Sequence, residues 1–397
     1  MRPNALSLVV ALVVSVGVTA AAQLAEHAPG QGQGPPQGSE PGPVFRLSVS
    51  LVQVDAVVTD RKGRHVTTLG PADFQVLQDG KPQPVTAVAY VRADERYLDA
   101  SGAPEPVVIP TSPRQARRVI ALVVDDSRMT FESIYHTRMG LQRFVDRELQ
   151  ADDLVTVVTT SGTRGTSWPF TFSRPELRAA VNRLRFSLWN ASAAGALEPL
   201  ENIFDLLPTT AERDREQHFA VNALNRIADV IAAVRELPGR KTVLLVSEGF
   251  SMSGLSDSQI RDAMYGLVDQ ANRAGVVIYA VDPRGLVFTG LSAADSTGSP
   301  SAMAQLMARR NDALLQTQDG LRYVAGQTGG FAVVNNNDMP GAFRRVLEDQ
   351  RGYYLIGFQP SGDTFYPNRG FRRVKVKVTR RGLRVRTRAG FYGVATE

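Results

Sequence analysis

The sequence predicts an α/β fold: a doubly wound, mostly parallel sheet with helices on both faces, accompanied by a β-sandwich-like module built from the two flanks of the chain. Three observations predict it. Between residues 115 and 350, short apolar runs such as Val119-Ile120-Ala121-Leu122-Val123-Val124 alternate with stretches of helical spacing such as Phe131 to Leu149. Runs that are apolar at nearly every position suit parallel strands covered on both faces. The flanks, 44–110 and 351–397, instead alternate apolar and polar residues with a period of two, the pattern of strands with one face in water. Neither flank is large enough to close a core alone, so the two are expected to pair.

Taken in order, the chain opens with Arg2, an apolar run from Leu6 to Val18, and Thr19-Ala20-Ala21-Ala22. A short basic region, a brief apolar region and a small-residue site make residues 1–22 an export signal cleaved near Ala22, with an uncleaved anchor as the rival reading. No second apolar run of spanning length follows, so a secreted or periplasmic location is expected. Residues 23–43 are rich in Gly, Pro and Gln and read as a linker. Phe45 to Val58 is a strand, Asp60-Arg61-Lys62-Gly63 a turn, and Asp73 to Lys81 a strand closed by an Asp79-Gly80 hairpin signal, with Val85 to Val91 as its return. A Pro-rich stretch (Pro104, Pro106, Pro110, Pro113) marks the boundary.

The α/β region then gives strands at 119–124, 154–159, 242–246, 276–281 and 331–334, with a short edge strand at 167–172. Helices are expected at 131–149, 175–186, 219–237, 256–274, 321–327 and 339–350. The last flank reads as strands at 353–358, 371–378 and 383–388, the latter two forming a basic hairpin. Two long connections, 190–210 and 288–301, interrupt the rhythm and sit where a lid or a partner surface would.

Composition removes several functions. The chain has no cysteine and only four histidines, His27, His65, His136 and His218, so disulfides, thiolate metal sites and cysteine nucleophiles are excluded. Gly249-Phe250-Ser251-Met252-Ser253 falls short of a nucleophile elbow, and no glycine-rich phosphate loop follows a strand. The net charge is +6, yet residues 351–388 hold eleven basic residues and one acid. The rest of the chain is therefore net acidic, and no nucleic-acid partner is expected; an anionic polymer could engage the basic hairpin.

In an open parallel sheet, ligands bind beyond the carboxyl ends of the strands, where the topology reverses. The residues there are Asp125-Asp126-Ser127-Arg128-Met129-Thr130, Thr159-Thr160-Ser161, Ser247-Glu248-Gly249 and Asp282-Pro283-Arg284-Gly285. Carboxylates and hydroxyls of this kind suit hard divalent cations. Here the sequence resembles the von Willebrand factor type A family over roughly 117–350. Leu237-Pro238-Gly239-Arg240-Lys241-Thr242, Ser247-Glu248-Gly249-Phe250, Tyr279-Ala280-Val281-Asp282-Pro283-Arg284-Gly285 and Ala325-Gly326-Gln327-Thr328-Gly329-Gly330 narrow the resemblance to the VWFA-related acidobacterial domain family.

That resemblance implies a metal-ion-dependent adhesion site at Asp125, Ser127, Thr130 and Glu248, holding Mg²⁺, Mn²⁺ or Ca²⁺, with Asp126, Arg128, Thr160, Asp282 and Arg284 contacting the ligand. The motif departs from the family pattern: Met129 stands where a second Ser belongs, and Glu248 replaces Asp. Two readings stand, a cation site or a crevice whose carboxylates are neutralised by Arg128 and Arg284. The function expected is protein or cell-surface adhesion and not catalysis. The alternatives are a metal-assisted hydrolase using Asp125 or Asp126 with Glu248, and an envelope protein gripping anionic polymer.

Overall fold

The computed structural model describes residues 51–92, 112–113, 116–162, 169–186, 210–251, 258–292, 295, 299–360 and 371–392. The signal, the linker, most of the Pro-rich boundary and nearly all of the 190–210 connection lie outside the described residues.

Five parallel strands, β5 (Arg118–Val124), β6 (Asp153–Thr159), β7 (Arg240–Val246), β8 (Val276–Val281) and β9 (Ala332–Val333), pair in the order β6-β5-β7-β8-β9. Because successive side chains of a strand point to opposite faces, β5 feeds two cores. Val119, Ala121 and Val123 pack under α3 (Thr210–Arg235), α4 (Ser258–Ala274) and the end of α5 (Pro300–Gln327). Ile120, Leu122 and Val124 pack under α1 (Phe131–Arg147), α2 (Arg174–Asn182) and α6 (Met339–Asp349). Every β5 residue is buried, which explains its unbroken apolar run. The expected edge strand at 167–172 shows, in its described part, a single antiparallel bridge from Thr171 to Val155.

α5 is far longer than the 321–327 helix expected. It begins after Ser299, whose hydroxyl accepts from Ala302 N, and Pro300 occupies the first turn, where its missing N–H costs nothing. Its buried face includes Arg310 and Gln318, polar residues that disguise the apolar stripe.

The flanks form two four-stranded antiparallel sheets. β1 (Val52–Thr59) and β4 (Val85–Arg92) join β10 (Gly352–Phe358) and β12 (Arg384–Thr387) in the order β12-β1-β10-β4. β2 (Phe74–Gln78) and β3 (Lys81–Gln83) join β11 (Phe371–Val378) and β13 (Gly390–Tyr392) in the order β13-β11-β2-β3. Each sheet thus mixes both ends of the chain. One apolar cluster unites them, including Val54, Ala56 and Ile356 with Phe74, Val76, Val374 and Val376.

Two local expectations are corrected. Asp79 and Gly80 both have positive φ, 48° and 84°, as a two-residue hairpin turn requires, but the return strand is the short β3. Pro84, which lacks an N–H for a ladder, stands between β3 and β4, and β4 pairs in the other sheet. Likewise β11 and β12 are not a hairpin. They lie in different sheets, because β2 and β13 flank β11 while β12 pairs with β1.

Tyr354 pins this cluster. Its ring meets Phe74 and Tyr90 at centroid distances of 5.0 Å each. Its hydroxyl donates to Val66 O (2.7 Å) and accepts from Leu69 N (3.0 Å). Tyr354→Phe would strand two backbone groups and should destabilise by about 1–3 kcal/mol. Urea unfolding should show a lower midpoint at unchanged slope; a loss below about 0.5 kcal/mol would mean the hydroxyl is not a pin.

Candidate functional site

The sheet order reverses at β5, so β5 leads toward α1 on one face and β7 toward α4 on the other, the place where open parallel sheets take ligands. The ladder runs one residue past the strands. Asp125 N donates to Val246 O (2.9 Å), Thr160 N to Val124 O (3.0 Å), Ser247 N to Val281 O (3.2 Å) and Asp282 N to Val333 O (2.9 Å). Four polar residues are thereby fixed side by side at the carboxyl edge by backbone bonds that cost their side chains nothing.

Asp125 is the centre, 0% exposed. Its Oδ1 accepts from Ser127 Oγ (2.8 Å) and Thr160 Oγ1 (2.7 Å), and its Oδ2 from Ser247 Oγ (2.8 Å). Gly249 N in turn donates to Ser247 Oγ (3.0 Å). Gly249 sits at φ +97°, where an added Cβ would lie 2.2 Å from Thr317 O, so the loop after β7 runs hard against α5 and holds Ser247 in place.

The other expected residues fall into pairs, with one long contact back to the cluster from Thr160 Oγ1 to Asp126 Oδ1 (3.5 Å). Thr130 caps α1 by accepting from Ser133 N (3.3 Å), and its N–H (2.9 Å) and hydroxyl (3.0 Å) reach Glu248 Oε1. A carboxylate at a helix N-terminus is favourable there. Burial pushes the Glu248 carboxyl up, against the pull of the Thr130 and Ser133 hydrogen bonds and the Arg284 charge. Asp126 accepts from Ser161 N (2.9 Å) and Ser161 Oγ (2.6 Å). Burial raises it too, opposed by Ser161 and reinforced by the Asp125 charge.

The two arginines serve other carboxylates. Arg284 grips Asp282 through Nε (2.9 Å) and Nη2 (2.8 Å), and its Nη2 also reaches Thr317 Oγ1 (3.1 Å). Arg128, 4% exposed, donates to Glu216 on α3 (3.0 Å) and lies 5.6 Å from the Phe250 ring centroid. Among the described residues no cation pairs with Asp125, and no hydrogen bond joins Glu248 to Asp125 or Asp126.

The structure therefore groups Asp125, Ser127 and Thr160 into one cluster. It sets Thr130 with Glu248, Asp126 with Ser161, Asp282 with Arg284 and Arg128 with Glu216. Ser247 belongs to the central cluster and was missing from the expected set; its signal is being the first polar residue after the β7 run. Among the described residues no three His, Asp or Glu side chains gather as a metal set. A cation here would rely on one carboxylate and three hydroxyls, all hard oxygen donors of the kind Mg²⁺ and Ca²⁺ take.

The connection after β8 is tied down in its described part. Arg310 of α5 forms a buried pair with Asp295 (2.6 Å) and also donates to Gly290 O (2.8 Å). Leu286 and Phe288, 68% and 76% exposed, stand beyond Arg284, and Phe131, 60% exposed, follows Thr130.

No family model and no curated protein matches the chain. Among solved structures it is similar to an aerotolerance-related membrane protein from Bacteroides fragilis, at 11% identity and a TM-score of 0.35, covering 59% of this chain and 98% of that one. It is also similar to an uncharacterised membrane-spanning protein from Vibrio fischeri, at 15% identity and a TM-score of 0.17, covering 58% and 97%. Among the described residues no helix is long and apolar enough to cross a membrane.

A raised carboxyl binds its proton more tightly in the folded state, so its share of stability is full below the unfolded carboxylate range near about pH 4 and falls as pH rises through that range toward the raised value. Glu248→Gln keeps an acceptor for Thr130 and removes the titration. In chelator-containing buffer, the stability of the wild type relative to the variant should fall as pH climbs from about 4 upward. Superimposable curves would remove Glu248 as a source of the slope.

Proposed function

We propose that the chain is an extracytoplasmic binding module of the von Willebrand type A kind, which engages a protein or cell-surface ligand at the carboxyl edge of its parallel sheet. In this reading the two antiparallel sheets form a sandwich-like support, and the signal-like N-terminus accounts for export. The observation that carries the proposal is the environment of Asp125. A carboxylate taken wholly out of water is costly unless paired or hydrogen-bonded, and its partners are three neutral hydroxyls at the one place in the sheet where two loops part.

The donors fit a divalent ion of the hard class, Mg²⁺, Mn²⁺ or Ca²⁺. Asp125, Ser127, Thr160 and Ser247 would hold it, and when bound the ion would supply a positive centre for an acidic group of the partner. The role of Thr130 and Glu248 in this reading is to frame the site: Glu248, held on the α1 cap, keeps a second carboxyl group beside the cluster without entering it. Arg128 and Arg284, each spent on another carboxylate, leave Asp125 available. Leu286, Phe288 and Phe131 add exposed apolar surface at the rim, the type of anchor that protein interfaces use.

Titration of Mg²⁺, Mn²⁺ and Ca²⁺ by calorimetry should give saturable heat with at least one ion for the wild type. Asp125→Ala should give none, and Thr160→Ala should bind at least tenfold more weakly, with circular dichroism confirming that both variants fold. A wild type silent toward all three ions would overturn the ion-dependent reading. Envelope-surface capture that is equal for wild type and Asp125→Ala would move the interface away from this edge.

A further inference from the structure

At the opposite, amino-terminal edge of the parallel sheet, β1 and β12 meet the starts of β7 and β8, the end of α4 and the turn after α5. A cavity of about 30 Å³ lies in this joint, lined among others by Asp55, Arg240, Asn272, Arg386, Thr387 and Arg388. We propose that it is a binding site for a small inorganic anion, of the class of chloride or a compact oxyanion.

Charge is the first argument. Three arginines and one carboxylate, Asp55, line the cavity, and among the described residues only Arg386 of the three has a carboxylate partner, Asp349. Asp55 itself is exposed, and no salt bridge joins it to the three arginines among the described residues. The second argument is hydrogen bonding. Arg240 Nε and Nη1, Arg386 Nε, Arg388 Nε and Thr387 Oγ1 are buried and meet no acceptor in the protein. Buried donors are satisfied in the great majority of cases, and five on β7, β12 and the residue after β12 call for a shared acceptor.

The guanidinium groups are also held in place by their other contacts. Arg386 pairs with Asp349 at the end of α6. Arg388 donates through Nη2 to Gln53 O (2.8 Å) and through Nη1 to Asn272 O (3.5 Å). Arg240 stacks its guanidinium 4.5 Å from the Tyr353 ring centroid. Orientation is thus provided before any ligand arrives, which lowers the ordering cost of binding. Burial, together with the charges of Arg345 and Arg240, makes the Arg386 cation less favourable than usual; an anion would relieve that. Asn272 Oδ1 is also buried without a partner, and its amide is oriented by Nδ2 donating to Gln327 O (3.4 Å).

Size selects the class. A volume of about 30 Å³ takes one or two water-sized groups and excludes a sugar or nucleotide. An anion bound there would bridge β12 and β1 to β7 and α4, so it would stiffen the joint between the antiparallel sheets and the α/β layer.

The test is thermal unfolding of the full chain at constant ionic strength, with chloride or phosphate replacing gluconate, which is too large to enter. The wild type should show a saturable rise in Tm with chloride or phosphate. Arg240→Gln should raise the half-saturating concentration at least tenfold. Should that variant fail to fold, chloride NMR on the wild type serves instead: a broadened line that narrows when phosphate competes supports the site. Equal curves in all three anions, superimposable curves for wild type and variant, or an unbroadened chloride line would show that ordered water satisfies these donors and would overturn the proposal.

Discussion

The pairing of strands from opposite ends of the chain is the constraint on which the rest depends. Val54 of β1 sits opposite Ile356 of β10, and Val76 of β2 opposite Val376 of β11. The whole α/β layer is therefore inserted between strands that must meet, and Asp349, where the insertion ends, is paired with Arg386 of β12. Closing so long a loop costs entropy that grows only slowly with length, but it must be met before the contacts reward it, which favours slow folding. The shared apolar cluster offsets that cost. A polar latch assists: Asp349 accepts from Tyr279 Oη of β8 (2.7 Å) and pairs with Arg386 of β12, whose guanidinium lies 5.1 Å from the Phe331 ring centroid.

A parallel sheet buried on both faces leaves charged groups only its two ends. At the amino end the charges are largely cationic, with Arg240, Arg386 and Arg388 around one cavity and Arg118 satisfied by a two-pronged pair with Asp153 (2.7 Å to each oxygen). At the carboxyl end they are acids and hydroxyls. Strands of seven residues hold these two ends roughly 23 Å apart at the usual rise, well beyond the screening length of physiological salt. The two edges can therefore carry opposite chemistry without cancelling.

How much of this was readable follows from how each element earns its order. β5, β7 and β8 were legible because burial on both faces forces an apolar residue at nearly every position. The crevice residues were legible because they interrupt those runs. The length of α5 was hidden, since its core face spends positions on Arg310, which pairs with Asp295, and Gln318, which donates to Asp282 Oδ2 (3.3 Å) and Asn335 Oδ1 (2.8 Å). Partner choice within the site was equally hidden. Thr130 and Thr160 are both hydroxyls one loop away from Asp125 in sequence logic; only the ladder bond from Thr160 N to Val124 O puts one of them on the carboxylate, while helix capping claims the other.

The basic C-terminal flank shows why alternation fixes faces but not partners. Val374 and Val376 are buried and Lys375 and Lys377 exposed, as a period of two requires. Nearness in sequence suggested that β11 and β12 should pair, yet Gly382, at φ +81°, lies in a turn that carries the chain to the other sheet. That crossing splits the charges. Arg386 and Arg388 turn into the joint, and Arg372 and Arg380 pair with Asp79 and Asp73. Arg373, Lys375 and Lys377 remain on the water side of β11. β13 covers only Phe371 to Arg373, so beyond Val374 that edge of β11 has no strand partner among the described residues. Lysines on such an edge oppose pairing with another chain, which makes protection against association a sufficient physical reason for the exposed half of the basic excess, while the buried half is explained by the joint it lines.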